Sequence, residues 1–159
     1  FLWYLEKTFI LGRITPYFRS VGKEIRKAPI YYFTDLGLRN YALGQFDQEK
    51  ILSDPAQTGF LFQNFVYRLL KEKMLTTSND LHFWRTKDGA EVDYIVEHKG
   101  RLIPIEVKWT ERPSLSDARH LMTFLEEKSK LARQGYVVCR CPRRLALSDR
   151  ITALPWWAL

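Results

Sequence analysis

The spacing of apolar residues changes along this chain, and each change marks a predicted element. From Gly59 onward, Phe62, Phe65, Val66, Leu69 and Leu70 recur at i, i+3, i+4, i+7 and i+8, the signature of one helix face. Lys71 and Lys73 close that helix, where cations suit the negative end of its dipole. The period then falls to two. Leu81 to Thr86, Ala90 to Glu97 and Arg101 to Trp109 read as strands, joined by tight turns at Lys87-Asp88-Gly89 and His98-Lys99-Gly100. Ser114 to Asp117 is a variant capping box that opens a second helix carrying Leu115, Ala118, Leu121, Met122 and Leu125. Gly135 to Cys141 returns as a strand, and residues 144–148 and 151–157 read as further edge strands. The predicted order is helix, three-stranded meander, helix, strand, an α/β arrangement in which helices flank a mixed central sheet.

Ahead of this block, Lys7 to Phe18 and Pro29 to Phe33 read as strands. A helix follows, capped by Thr34 or Asp35, with Leu36, Leu38, Tyr41 and Leu43 as its apolar residues before Gly44. The turn-rich stretch 53–57 is the expected joint between a connector, residues 1–57, and a domain, residues 58–159. At 159 residues the chain is long enough for one domain with an attached segment.

Composition adds three constraints. No apolar run approaches the ~20 residues of a membrane span, and the opening segment lacks the charge and cleavage pattern of a secretory signal. The chain begins with Phe1, not Met, as expected of a piece of a longer protein. Cys139 and Cys141, the two cysteines, fall on one face of a strand, which suits reduced thiols in a cytoplasmic protein and neither a mutual disulfide nor a zinc set. Lys and Arg outnumber Asp and Glu by 25 to 18, a formal charge of +7, which favours a polyanionic partner such as nucleic acid. The excess falls at Lys23, Arg26 and Lys27, at Lys71 and Lys73, at Arg85 and Lys87, and at Arg140, Arg143 and Arg144.

Alternation places the candidate chemistry. On the third meander strand Ile103, Ile105, Val107 and Trp109 share one face, and Pro104, Glu106 and Lys108 the other. On the strand before it Val92, Tyr94 and Val96 alternate with Glu91, Asp93 and Ile95, so Asp93 faces the same way as Glu106. Alternation alone also fits the solvated face of an antiparallel meander, but the flanking helices carry enough apolar surface to cover both faces, under which two carboxylates and an amine would converge. Adjacent buried carboxylates raise one another's pKa, and a divalent cation is the usual remedy. Mg²⁺, with Mn²⁺ as substitute, fits Asp93, Glu106 and the Val107 carbonyl, with Lys108 to orient water or stabilise charge on a phosphorane. His82, His98 and His120 stand at no ligand spacing and receive no role.

The runs Trp84-Arg85-Thr86-Lys87-Asp88-Gly89-Ala90-Glu91-Val92-Asp93 and Ile103-Pro104-Ile105-Glu106-Val107-Lys108 resemble the PD-(D/E)XK nuclease superfamily. More closely, they are similar to the nuclease-like C-terminal domain of a group of uncharacterised prokaryotic AAA+ ATPases. Lys7-Thr8-Phe9, Pro16-Tyr17, residues 27–39 and residues 59–66 share that likeness. The resemblance implies a restriction-endonuclease-like core, a winged-helix-like tail in residues 1–57, and an ATPase module upstream. This chain holds no phosphate-binding Gly-rich loop and so no nucleotide site of its own. It further implies Asp93, Glu106 and Lys108 as catalytic residues, with Gln63 and Glu91 as accessories, and the basic excess offers Arg85, Lys87 and Lys71 as nucleic-acid contacts. Val92 replaces the motif proline. Gln63 stands where nuclease-like relatives often carry a metal-binding glutamate, and an amide brings no charge. Two functions therefore stay open: a Mg²⁺-dependent nuclease domain, or a non-catalytic module that recognises DNA or a protein partner for the ATPase.

Overall fold

The computed structural model describes residues 1–17 and 28–159. Lys23, Arg26 and Lys27 lie outside the described residues, as does Phe18 at the end of the first predicted strand. Among the described residues, eight strands form one mixed sheet in the order β2-β1-β3-β4-β5-β6-β8-β7. The meander is as predicted: β3 (Asp80–Arg85), β4 (Glu91–His98) and β5 (Arg101–Val107) pair antiparallel in sequence order. The turn between β4 and β5 holds both Lys99 and Gly100 at positive φ, the conformation that matches the twist of a two-residue hairpin. Beyond it β6 (Gly135–Cys139) lies parallel to β5, and β8 (Ile151–Pro155) parallel to β6. β7 (Leu145–Ser148) closes that edge, so β8 is an interior strand and not the edge strand expected. Trp156 and Trp157 leave it in a 3-10 turn.

At the other edge β1 (Leu11–Pro16) runs parallel to β3 and carries β2 (Ile30–Phe33) outside it, which extends the sheet into the N-terminal segment. The strand expected from Lys7 is shorter, because Leu2–Lys7 is a helix, α1, and Phe9 at positive φ breaks the chain before β1. The next helix, α2 (Leu36–Ala42), begins on the Asp35 cap as expected. Its Leu38 and Tyr41 face solvent, and the side chain it buries is Arg39.

The stretch expected as a turn-rich joint instead ends one helix, α3 (Gln48–Ser53), and starts another, α4 (Pro55–Met74). Asp54 caps α4 by accepting from the Ala56 and Gln57 amides, and Pro55 occupies the first turn, where its missing N–H costs nothing. α4 covers one sheet face through Phe62, Val66, Tyr67 and Leu70, packed on Phe83, Tyr94, Val96 and Ile105. Gly12 of β1 passes so close to Tyr67 that any Cβ would collide with its hydroxyl. The other face is covered by α5 (Arg119–Glu127), entered through the predicted capping box at Ser114 and Asp117 and the short 3-10 turn Leu115–Ala118. Leu121, Phe124 and Leu125 pack there on Val92, Ile95, Leu102 and Val137. Cys139 and Cys141 are free thiols buried in this second core, deeper than the half-buried position expected.

Candidate active site

A slip of one residue in β4 shapes the site. Trp84 of β3 pairs with Val92, yet His82 pairs with Ile95, so Asp93 and Tyr94 together stand opposite Phe83. This β-bulge breaks the predicted alternation: Val92 joins Ile95 in the α5-side core, and Tyr94 and Val96 enter the α4-side core. The faces expected on β5 are kept, with Ile105 and Val107 toward α4. Regular pairing of β4 with β5 stops at Tyr94 and Ile105. Past that point the Asp93 carboxylate replaces the ladder: its Oδ2 accepts from the Val107 backbone N–H at 2.8 Å.

The other oxygen of Asp93 accepts from Gln63 Nε2 at 2.7 Å, and the same amide nitrogen donates to the Tyr32 hydroxyl at 3.1 Å. Tyr94 donates to the Gln63 carbonyl from below, at 2.9 Å. A polar chain thus runs from β2 through α4 to β4 and β5. Asn64, the next residue on α4, is fully buried and clamps the backbone of Phe33: it accepts from the N–H at 2.8 Å and donates to the C=O at 2.7 Å. One helix therefore fixes both the edge strand and the amide that holds Asp93.

Glu106 is 5% exposed, and its Oε1 meets Lys108 Nζ at 2.9 Å. Its Oε2 is buried and makes no hydrogen bond of good geometry among the described residues, although the Asp93 backbone N–H favours the charged form of the carboxyl. Burial pushes the Glu106 carboxyl above its ordinary range, although Lys108, His120 and the Asp93 backbone pull the other way. Asp93 is raised further by burial and then by Glu106, with the Val107 N–H and Lys108 opposing. Burial lowers the Lys108 ammonium, but the fields of Glu106 and Asp93 outweigh that and hold it above its usual value. An ammonium kept charged thus stands beside two carboxyl groups that resist ionisation, one with an unsatisfied buried oxygen.

The structure brings together Gln63, Asp93, Val107, Glu106 and Lys108. Val107 meets Asp93 through its backbone N–H. Arg85 and Glu91 form a bidentate pair at 2.6 and 2.9 Å. Glu91 still adds to the negative field at Asp93. Lys87 is exposed in the β3–β4 turn. Lys71 lies eight residues beyond Gln63 on α4, roughly 12 Å along the axis. His120, given no role from sequence, hydrogen-bonds the Glu91 backbone through Nδ1 and accepts from Arg119 Nε at Nε2, within electrostatic reach of Glu106. A lone histidine on an amphipathic helix carries no spacing signal that distinguishes it from a surface residue.

Among the described residues no three His, Cys, Asp or Glu side chains gather into a metal cluster. The donors present are two carboxylates, one with a free buried oxygen, which fits a hard divalent cation that keeps most of its waters. No described helix is long and apolar enough to cross a membrane.

Residues 58–159 match the family described as a domain of unknown function, DUF4143, and the chain belongs to that family. Residues 1–49 match a second domain of unknown function, DUF8612. The chain is 34% identical over 151 residues to the uncharacterized protein Rv2008c of Mycobacterium tuberculosis and to the uncharacterized protein Mb2031c of Mycobacterium bovis, covering 95% of its own length and 33% of theirs. It thus spans about a third of these curated relatives. No solved structure matches the chain.

Proposed function

We propose that this chain is a restriction-endonuclease-like, Mg²⁺-dependent phosphodiesterase domain of the PD-(D/E)XK kind, acting on nucleic acid under the control of an ATPase module elsewhere in the full-length protein. The observation that carries this reading is the Glu106 carboxylate, buried beside Asp93 with Lys108 on one oxygen and no hydrogen bond of good geometry on the other. A structural ion pair has no use for an orphaned buried acceptor, which costs about 1–3 kcal/mol. A bound cation would offset that cost and the repulsion between the carboxylates.

Asp93 and Glu106 would hold the ion, which would polarise a phosphate oxygen and lower the pKa of an attacking water. The remaining work falls to the chain itself. Val107 and Gln63 fix both Asp93 oxygens and so set the direction of its remaining lone pairs. Lys108 is 39% exposed at its side chain, so its ammonium reaches the solvent side of the site, where it can meet charge developing on phosphorus. Lys87, in the neighbouring turn, and the basic balance of the chain supply contacts to the phosphate backbone.

The Gln63 amide favours a second reading. It presents an N–H to Asp93 where a carboxylate would add a ligand. On that reading the domain binds nucleic acid or a protein partner for the ATPase without cutting. Incubation of single- and double-stranded DNA and RNA with Mg²⁺ or Mn²⁺ separates the two. The nuclease reading expects cleavage by wild type, with Asp93→Ala and Lys108→Ala each slower by a factor on the order of 10² or more. Equal rates in all three proteins would remove the assigned site. No cleavage, together with an affinity that falls steeply with salt, would establish the binding module instead.

A further inference from the structure

Three mutually parallel strands, β5, β6 and β8, finish at one end of the sheet, and just beyond their last residues stand Trp109, Arg140 and Trp156. Ligands of open α/β sheets bind outside such carboxyl ends. Here the three side chains, with Phe62 and Phe65 of α4, line an apolar cavity of about 310 Å³, the lower end of the range for small-ligand pockets. Phe62 meets Trp109 edge-on at 5.1 Å, and Phe65 meets Trp156 edge-on at 5.3 Å, so the phenylalanines prop the indoles. Both indoles stay open to solvent, at 39% and 37% exposure.

The slot and the candidate active site share one end of the sheet but not one face. Trp109, with Val107 and Phe62, lies on the α4 side and Glu106 and Lys108 alternate to the other, so a nucleic-acid strand that fills both must cross the end of β5. The Arg140 guanidinium lies 4.1 Å from the centre of the Trp109 ring, and among the described residues no acidic side chain lines the cavity. Glu111 pairs with Arg140 from outside, but both side chains are partly exposed, at 64% and 35%, so solvent weakens the pair. Arg140 can offer its edge to a phosphate while its plane stays on the indole.

We propose that this slot takes an unpaired nucleobase of the strand whose phosphate lies at Glu106 and Lys108, so that the domain acts on single-stranded or frayed nucleic acid in preference to intact duplex. The inference deepens the nuclease reading and rests on it. Aromatic faces accept any base through stacking, and a guanidinium beside them adds attraction for the flanking phosphate. A base inside a duplex is already stacked and cannot enter without being extruded. An aliphatic protein segment would use the ring walls and the leucines beside them but would gain nothing from the outer edge of the Arg140 guanidinium.

The test is binding without divalent metal. Probes are a labelled short oligothymidylate, the same strand made abasic, and a blunt hairpin duplex. Wild type is expected to bind oligothymidylate about 10-fold tighter than the abasic strand, and tighter than the hairpin. Trp109→Ala should erase that preference, Trp109→Phe should keep most of it, and Trp156→Ala should reduce it by a smaller factor. Melting curves identify any variant that is not folded, and the Trp156 variant then decides. Equal affinity for base-bearing and abasic strands, or a preference untouched in the folded variants, overturns the slot. Cleavage in Mg²⁺ is scored separately. A protein that cuts without base preference keeps its active site and loses the slot. A base preference that depends on Trp109 in a protein that cuts nothing keeps the slot and removes the catalytic reading.

Discussion

The two helices that sandwich the sheet do different work. The buried face of α5 is Leu121, Phe124 and Leu125, packed on aliphatic neighbours and on the Trp84 ring, whose centroid is 5.3 Å from that of Phe124. α4 buries Thr58, Asn64 and Tyr67 among its apolar residues, and through Gln63 and Asn64 it holds groups on two strands, β2 and β4. Apart from His120, which bonds the Glu91 backbone, α5 is what a helix that only had to cover a sheet would look like. Polar groups in a core cost free energy unless every one is partnered, and the α4 side accepts that cost around Asp93. Stability on one face and positioning on the other is the division that the variants below are chosen to break.

Phe124→Ala should give the largest loss of stability, about 3–5 kcal/mol for an aromatic ring removed from a dry core, measured by denaturant unfolding. Asn64→Ala should cost about 2–3 kcal/mol by a different route, because it orphans the Phe33 N–H and C=O. Hydrogen exchange should then rise in β2 well before it rises in β5. If both variants loosened the whole molecule alike, α4 would be no more than a second α5.

Asp93→Asn should act in the opposite direction. Burial raises both carboxyl groups, so the folded protein keeps protons that the unfolded chain has released above pH about 4. The contribution of the pair to stability is greatest below that pH and is lost as pH rises through the raised values. An asparagine keeps an acceptor for the Val107 N–H, carries no charge, and is satisfied by a flipped Gln63 amide. The variant should be more stable than wild type at pH 8 by about 1 kcal/mol, the low end of what removing a buried charge returns, and close to wild type at pH 4. A pH-independent difference would mean that Asp93 is not held against ionisation.

Much of this was legible in the sequence because period-two alternation, tight turns and a capping box are local signals. They sufficed to put Glu106 and Lys108 on one face and to find the helix that carries Gln63. The bulge at Asp93 was not legible, since a one-residue slip depends on how Trp84 and His82 pair with β4. Asp54-Pro55 serves equally as a turn or as a cap followed by the first helical residue, and only the helix after it decides. Asn64 and His120 were missed because a buried amide and a surface amide read alike, and a lone histidine has no partner spacing. The N-terminal segment was misjudged in α1 and β1 for a similar reason: its strand gains its meaning from pairing with β3, far along the chain.

Binding of a cation by the carboxylates around Lys108 is the property that decides what this site does. Calorimetric titration with Mn²⁺ of wild type, Asp93→Ala and Gln63→Glu measures this directly. Wild type should bind one ion, more tightly at pH 8 than at pH 6 because binding must displace protons from raised carboxyl groups. Asp93→Ala should abolish the binding, and Gln63→Glu should tighten it by about 10-fold, one carboxylate being gained. Absence of binding in wild type at millimolar Mn²⁺, or binding that survives intact in Asp93→Ala, would contradict the account.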